Sequence, residues 1–234
     1  MARWIGIFFA GLLCAGCAGT GEKSELLSLL GVDEKITDTS DQGVEKVYDA
    51  LTLLKRGEAD YVKGDYLVAS DEYQRFLELH PFHRMAPFAQ YRLATSYYNQ
   101  MGTDDRDPGP LERALASFQK VVALYPQSLY VAEARAKIQE LTQRQAKREF
   151  YVGYFYYKNE AYPAAISRFI KALAKEEKGP IAEESLYYMG LSHYYNGSPP
   201  AARASFERLL AEYPGGEYTR KSRRMLSRIG TDSS

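Results

Sequence analysis

Three aspartates and an arginine fall within the ten residues MGTDDRDPGP, residues 101–110. An acidic cluster this dense raises the possibility of a calcium loop, because a hard divalent cation is held by several oxygens at fixed loop positions. The spacing does not supply them. Counting from Asp105, the third position is Asp107, but the fifth and sixth are Gly109 and Pro110. The twelfth, where a bidentate glutamate is needed, is Ala116. Asp107-Pro108 suits another role. Aspartate accepts hydrogen bonds from the free amides at a helix start, and proline is favoured just inside it. Asp107 is therefore expected to start a helix.

Other reactive residues are sparse. His80 and His83 bracket a turn, HPFH, with no cysteine or acidic cluster beside them to complete a zinc site. His193 lies among tyrosines on a helical pattern, where packing or hydrogen bonding is the commoner role. No serine or cysteine has a recognisable nucleophile setting, and no glycine loop for phosphate occurs. The pattern thus offers no catalytic residue, no metal site and no cofactor motif. Charge is balanced at 30 basic and 30 acidic residues, which argues against a nucleic-acid partner. Both cysteines, Cys14 and Cys17, stand at the N-terminus, so the body has no disulfide.

The chain opens MARWIGIFFAGLLCAGCAGT. Arg3 precedes an apolar run from Trp4 to Leu13, too short for a bilayer span, which needs about 20 residues. It fits the apolar region of a secretory signal. Ala15-Gly16-Cys17 resembles a bacterial lipobox, with Cys14 where leucine is usual. That resemblance implies a signal peptide over 1–16 and an acylated Cys17. Ala18 rather than aspartate after the cysteine implies the outer membrane. Residues 17–44 read as the lipidated start and a flexible polar tether, with one apolar patch at Leu26–Leu30.

From residue 45 to 230 helical periodicity dominates and strand alternation is absent. Prolines fall at segment ends. A small residue on one helix is followed by a small residue on the next, in four copies: Gly57 and Ala69, Ala94 and Ala114, Gly153 and Ala165, Gly190 and Ala202. Four residues after each second member comes Tyr73, Phe118, Phe169 or Phe206. Pro81, Pro126 and Pro214 end three copies. Small residues let two antiparallel helices approach, and the aromatic is expected to fill the gap toward the next pair. The pattern resembles the tetratricopeptide repeat, so the expected fold is an all-α superhelix of four repeats plus a capping helix over 217–230. Residues 231–234 are expected to be a disordered tail. Copy two is longer by the opening stretch, which is therefore an enlarged inter-helix turn. Between Tyr130 and Lys158 no breaker occurs, so one long helix is expected, with a waist at 142–149 that is polar all round and exposed.

In such repeats the first helix of each pair faces the concave surface. Positions sharing one of its faces are Leu54, Glu58 and Tyr61; Tyr91, Thr95 and Tyr98; Phe150, Tyr154 and Tyr157; and Tyr187, Leu191 and Tyr194. Two readings stand. The rings line a groove for apolar or aromatic peptide segments, or they pack between adjacent first helices. Copies three and four are the better candidates for the groove.

The lipobox, the repeats and the segment DRDPGPLERALASFQKVVALYPQSLYVAEARAKIQEL together resemble the BamD family of outer-membrane assembly lipoproteins. Asp105, Arg106, Asp107, Pro108, Tyr125 and Pro126 match its loop and the following helix end. The best-known members have five repeats against the four expected here, and by that resemblance the unit without a counterpart is expected to be the N-terminal one. The resemblance implies a non-enzymatic scaffold, lipid-anchored on the periplasmic side of the outer membrane. Its implied partners are the POTRA domains of the barrel-forming subunit BamA and the C-terminal segments of unfolded outer-membrane proteins. Another periplasmic repeat lipoprotein, such as a secretin or pilus pilotin or a cell-division coordinator, is the alternative. A lytic transglycosylase would need a catalytic domain for which no stretch is left.

Overall fold

The structure, a computed structural model, describes residues 49–102 and 107–231. Among these residues there are nine α-helices and no strand. They are α1 (Ala50–Lys63), α2 (Tyr66–Leu79), α3 (Ala86–Asn99), α4 (Gly109–Leu124), α5 (Val131–Lys158), α6 (Tyr162–Lys175), α7 (Pro180–Tyr195), α8 (Pro199–Glu212) and α9 (Thr219–Thr231). Each packs mainly on its neighbours in sequence, so the fold is a tetratricopeptide-type array. The prolines act where expected. Helices α2, α4 and α8 stop two residues before Pro81, Pro126 and Pro214, because a residue preceding proline is driven out of helical geometry. At the N-terminal edge the Asp49 carboxylate accepts the Leu51 and Thr52 amides at 3.2 and 3.3 Å, capping α1.

The small residues mark close approach within a pair. A Cβ built on Gly57 would lie 2.9 Å from the Tyr73 ring; on Gly153, 2.9 Å from Phe169; on Gly190, 2.6 Å from Phe206. Each ring is fully buried, as are Phe118 and Ala94 of copy two. This corrects the expected role of the aromatic. It sits over the small residue of its own pair instead of filling space toward the next one.

Helix α5 runs 28 residues, about 42 Å at 1.5 Å per residue. Its first part joins α1–α4 in one hydrophobic core that ends at Leu141. Its second part, from Phe150, belongs to the cores built with α6, α7 and α8. The waist between them is not polar all round, because Ala146 is fully buried. One apolar side chain at that point keeps the helix docked, while Arg144, Lys147 and Arg148 turn to a cleft on the other side.

Helix α9 closes the array. Ile229 and Ser222 are buried, and Arg220, Arg224 and Arg228 face outward. Thr231, expected to open the tail, is helical. The start of α9 is held from α7: the mostly buried Glu183 carboxylate accepts the Tyr218 amide at 2.8 Å. In the enlarged turn Asp107 Oδ1 accepts the Gly109 amide at 2.8 Å. Asp107 thus braces the entry to α4 from one residue further out than expected, with Pro108 at the cap position.

Gly190→Ala is expected to destabilise the chain. Helix propensity alone favours alanine by about 0.5–1 kcal/mol, but displacing a buried ring costs about 1–3 kcal/mol. A lower Tm by circular dichroism checks this, and adding Phe206→Leu should recover part of the loss. Glu183→Ala leaves the buried Tyr218 amide without its acceptor, a loss of about 1–3 kcal/mol. Hydrogen exchange should then accelerate in α9 while α1–α4 keep their protection.

Candidate peptide-binding surface

The predicted first-helix rings are all placed by the structure, and most are engaged. In copy one, Tyr61 lies under the Arg92 guanidinium, 4.4 Å from its ring centre, and its hydroxyl accepts from Asn99 at 3.0 Å. Glu58 beside it is buried and accepts the Tyr73 hydroxyl and, at 3.0 Å, Arg92 Nη2. Burial first, and then the Glu58 charge, drive the Tyr73 hydroxyl far above its ordinary pKa. This pair of charges is satisfied internally and offers nothing to a ligand.

In copy two, Tyr91 stacks on Tyr130 with centres 4.6 Å apart. The Tyr98 hydroxyl donates to Glu140 at 2.6 Å, and Lys137 sits 3.9 Å from its ring centre. Burial alone would raise the Glu140 pKa, but hydrogen bonds from Tyr98 and Lys137 and the nearby cations bring it below the usual range. Tyr98 is thereby a brace between α3 and α5.

Copies three and four form one aromatic cluster. Phe150 is 2% exposed and belongs to the core. Tyr154, Tyr157, Tyr187 and Tyr194 are half-buried. Tyr154 and Tyr157 meet Tyr188 at 4.9 and 5.2 Å, across from α5 to α7. Tyr187 packs on Tyr218 at 4.7 Å, and Arg228 covers Tyr194 at 5.6 Å. Burial, then the neighbouring tyrosines, push the Tyr157 hydroxyl up to about 12. The packing reading describes these rings better than an open groove, although the half-buried ones keep one edge accessible.

The hub of this cluster is Tyr188, absent from the predicted face. It meets six rings: Phe150, Tyr154, Tyr157, Phe169, Tyr187 and Tyr218. The exposed aromatics of α5 and α7 are also others: Tyr151 at 56%, Phe155 at 63% and Tyr195 at 51%. Tyr151 and Phe155 stand two residues either side of Gly153, so the outward face of α5 is rotated from the one predicted. Tyrosine doublets at 156–157, 187–188 and 194–195 were the available signal, since only one member of each pair can face the same side.

Cys17, Asp105 and Arg106 lie outside the described residues. Pro108 precedes α4 as the loop pattern requires. In the HPFH turn, His83 Nδ1 accepts the Met85 amide at 3.1 Å, and its ring meets Phe76 edge-on at 5.4 Å. Burial lowers its pKa. Among the described residues no group of three or more metal-ligating side chains occurs, and no helix is long and apolar enough to cross a membrane.

The family described as YfiO, outer membrane lipoprotein, matches residues 50–203, from α1 into α8. Curated relatives carry the name outer membrane protein assembly factor BamD. That of Caulobacter vibrioides is 29% identical over 193 residues, covering 74% of this chain and 63% of its own length. That of Neisseria meningitidis serogroup B is 31% identical over 137 residues, 54% of this chain and 50% of its own. The chain therefore spans between half and 63% of these relatives. Similar solved structures include a thermophilic tetratricopeptide protein of Thermus thermophilus, at 22% identity and a TM-score of 0.34, covering 80% of this chain and 84% of that one. Another is the TPR2AB domain of yeast Sti1, at 16% and 0.37, covering 79% and 71%. With a family match running through seven of the nine described helices and into an eighth, the chain belongs to the YfiO/BamD family of outer-membrane lipoproteins.

Proposed function

We propose that this protein is a non-enzymatic scaffold in the assembly of outer-membrane β-barrels. Cys17 would carry the lipid anchor on the periplasmic side of the outer membrane, and residues 18–44 would tether the helical array to it. The reading is carried by the family match over 50–203. Its chemistry is consistent with the array, in which helix pairs serve packing and the titratable groups inside, such as Glu58 and Arg92, are consumed by bracing. The partners proposed are the POTRA domains of the barrel-forming subunit, met through the C-terminal repeats, and the C-terminal segments of unfolded barrel proteins, which usually end in an aromatic residue. The exposed Tyr195, stacked on Tyr162 at 5.7 Å, offers such a segment a flat apolar surface with hydroxyls at its rim.

Purification from gently solubilised membranes is expected to recover the barrel-forming subunit. Its absence, or recovery of a secretin in its place, would sink the assembly role. Cys17→Ser should move the chain out of the membrane fraction. The two aromatic settings should separate under mutation. Tyr195→Ala is expected to weaken binding of aromatic-ended peptides several-fold with an unchanged Tm, as loss of a surface contact does. Tyr157→Ala should lower Tm, because that ring is packed against Tyr188.

A further inference from the structure

Where α5 leaves the first core, it lines a cleft of about 970 Å³ with the C-terminal end of α3. Arg144, Lys147, Arg148, Tyr151 and Phe155 come from α5, and Tyr98 from α3. The cations differ in their state. Arg144 is paired with Glu140 at 2.9 Å. Lys147 and Arg148 have no acidic partner among the described residues. Lys147 only leans toward Tyr151, 5.8 Å from its ring centre. Beside them Tyr151 and Phe155 are more than half exposed. Two adjacent cations with no acidic partner among the described residues thus stand next to two rings that expose apolar area to water. A ligand carrying carboxylates next to a ring would complement both.

The spacing narrows the ligand. Arg148 and Phe155 are seven residues apart on one helix, about 10 Å along its axis. An extended peptide covers that distance in about three residues. A nucleic-acid strand would need a basic track following its backbone, whereas the free cations here occupy a single turn. One terminal carboxylate would leave a cation unmatched; two side-chain carboxylates match both.

We propose that this cleft binds an internal segment of a partner protein bearing two adjacent acidic residues and an aromatic residue three positions away. The acids would meet Lys147 and Arg148, and the ring would lie on Tyr151 and Phe155. This site goes beyond the assembly role and stands or falls apart from it, since its test uses neither membranes nor the barrel-forming subunit.

The probe is a synthetic peptide, blocked at both ends, containing Asp-Asp-Gly-Ser-Phe, titrated against the full chain in detergent and read by fluorescence anisotropy. Lys147→Glu with Arg148→Glu is expected to weaken binding by about tenfold or more, with Tm unchanged because neither residue has an ion pair among the described residues. Asp→Asn in the peptide should have the same effect, and salt raised toward about 0.5 M should weaken the wild-type complex. Lys171→Glu, on the exposed side of α6, should leave binding as it was. The proposal is overturned if the wild-type chain does not bind or if the double reversal changes nothing. It also fails if Lys171→Glu weakens binding as much, or if only a peptide with a free C-terminal carboxylate binds. Binding gained only after Asp104→Asn with Asp105→Asn would assign the cleft to the chain's own acids and overturn it equally.

Discussion

The contact on which the array depends is a buried ring lying against a residue without a side chain. In three of the four pairs a glycine on the first helix meets the face of an aromatic on the second, so closely that even a methyl group would intrude. Glycine is unfavourable inside a helix, by about 0.5–1 kcal/mol against alanine. Its use three times at the same register means that closeness matters more than propensity. The ring fills the approach completely, which fixes the spacing of the two helices. Copy two has Ala94 in the glycine's register, and it and Phe118 are both fully buried; this is the pair with the enlarged turn.

With each pair fixed in this way, the remaining question is how pairs join. In the second half they join through aromatic rings, with Tyr188 touching both its own neighbours and those of the preceding repeat. In the first half the joints are mixed: Tyr91 on Tyr130, Arg92 over Tyr61, Tyr98 on Glu140. Helix α5 carries both kinds of joint, one at each end. It acts as the closing helix of the first core and as the opening helix of copy three. A rigid 28-residue helix couples the two cores, and Ala146 is the one fully buried side chain between Leu141 and Phe150.

The intra-pair pattern was legible in the sequence because it is set by residue size at fixed spacing. Gly57, Gly153 and Gly190 each stand twelve residues before their alanine partner. The helix ends were legible because proline enforces them. Facing was harder. Adjacent tyrosines differ by 100° around a helix, and a doublet such as Tyr187-Tyr188 gives no hint of which member turns inward. The rule that selects the first-helix face therefore named Tyr187 and missed the hub. It named Phe150 for a surface and missed Tyr151 and Phe155. Ala146 was overlooked because one small apolar residue among charged ones leaves no periodic trace. The role of Tyr98 depends on Glu140, forty-two residues away, which no local pattern reports.

Balanced composition also hides how charge is distributed in three dimensions. The chain has a formal net charge of zero, but many of its acids are spent inside the array. Glu58 is bound by Arg92 and Tyr73, Glu140 by Tyr98, Lys137 and Arg144, and Glu149 by Arg168. Glu183 is occupied by the Tyr218 amide. Three of these acids are held by four cations, Arg92, Lys137, Arg144 and Arg168, so each takes basic charge with it, and only Glu183 is held by a backbone amide instead. Basic residues are nevertheless clustered at two places: Lys147 and Arg148 at the waist, with no acidic partner among the described residues, and the five basic residues of α9, a helix with no acid at all. Salt screens a net charge within about 10 Å at 0.1 M, so a partner reads these local excesses and not the total. A chain of zero net charge can thus present local positive surface at the waist and along α9, because its paired charges cancel where they stand and these basic residues are clustered.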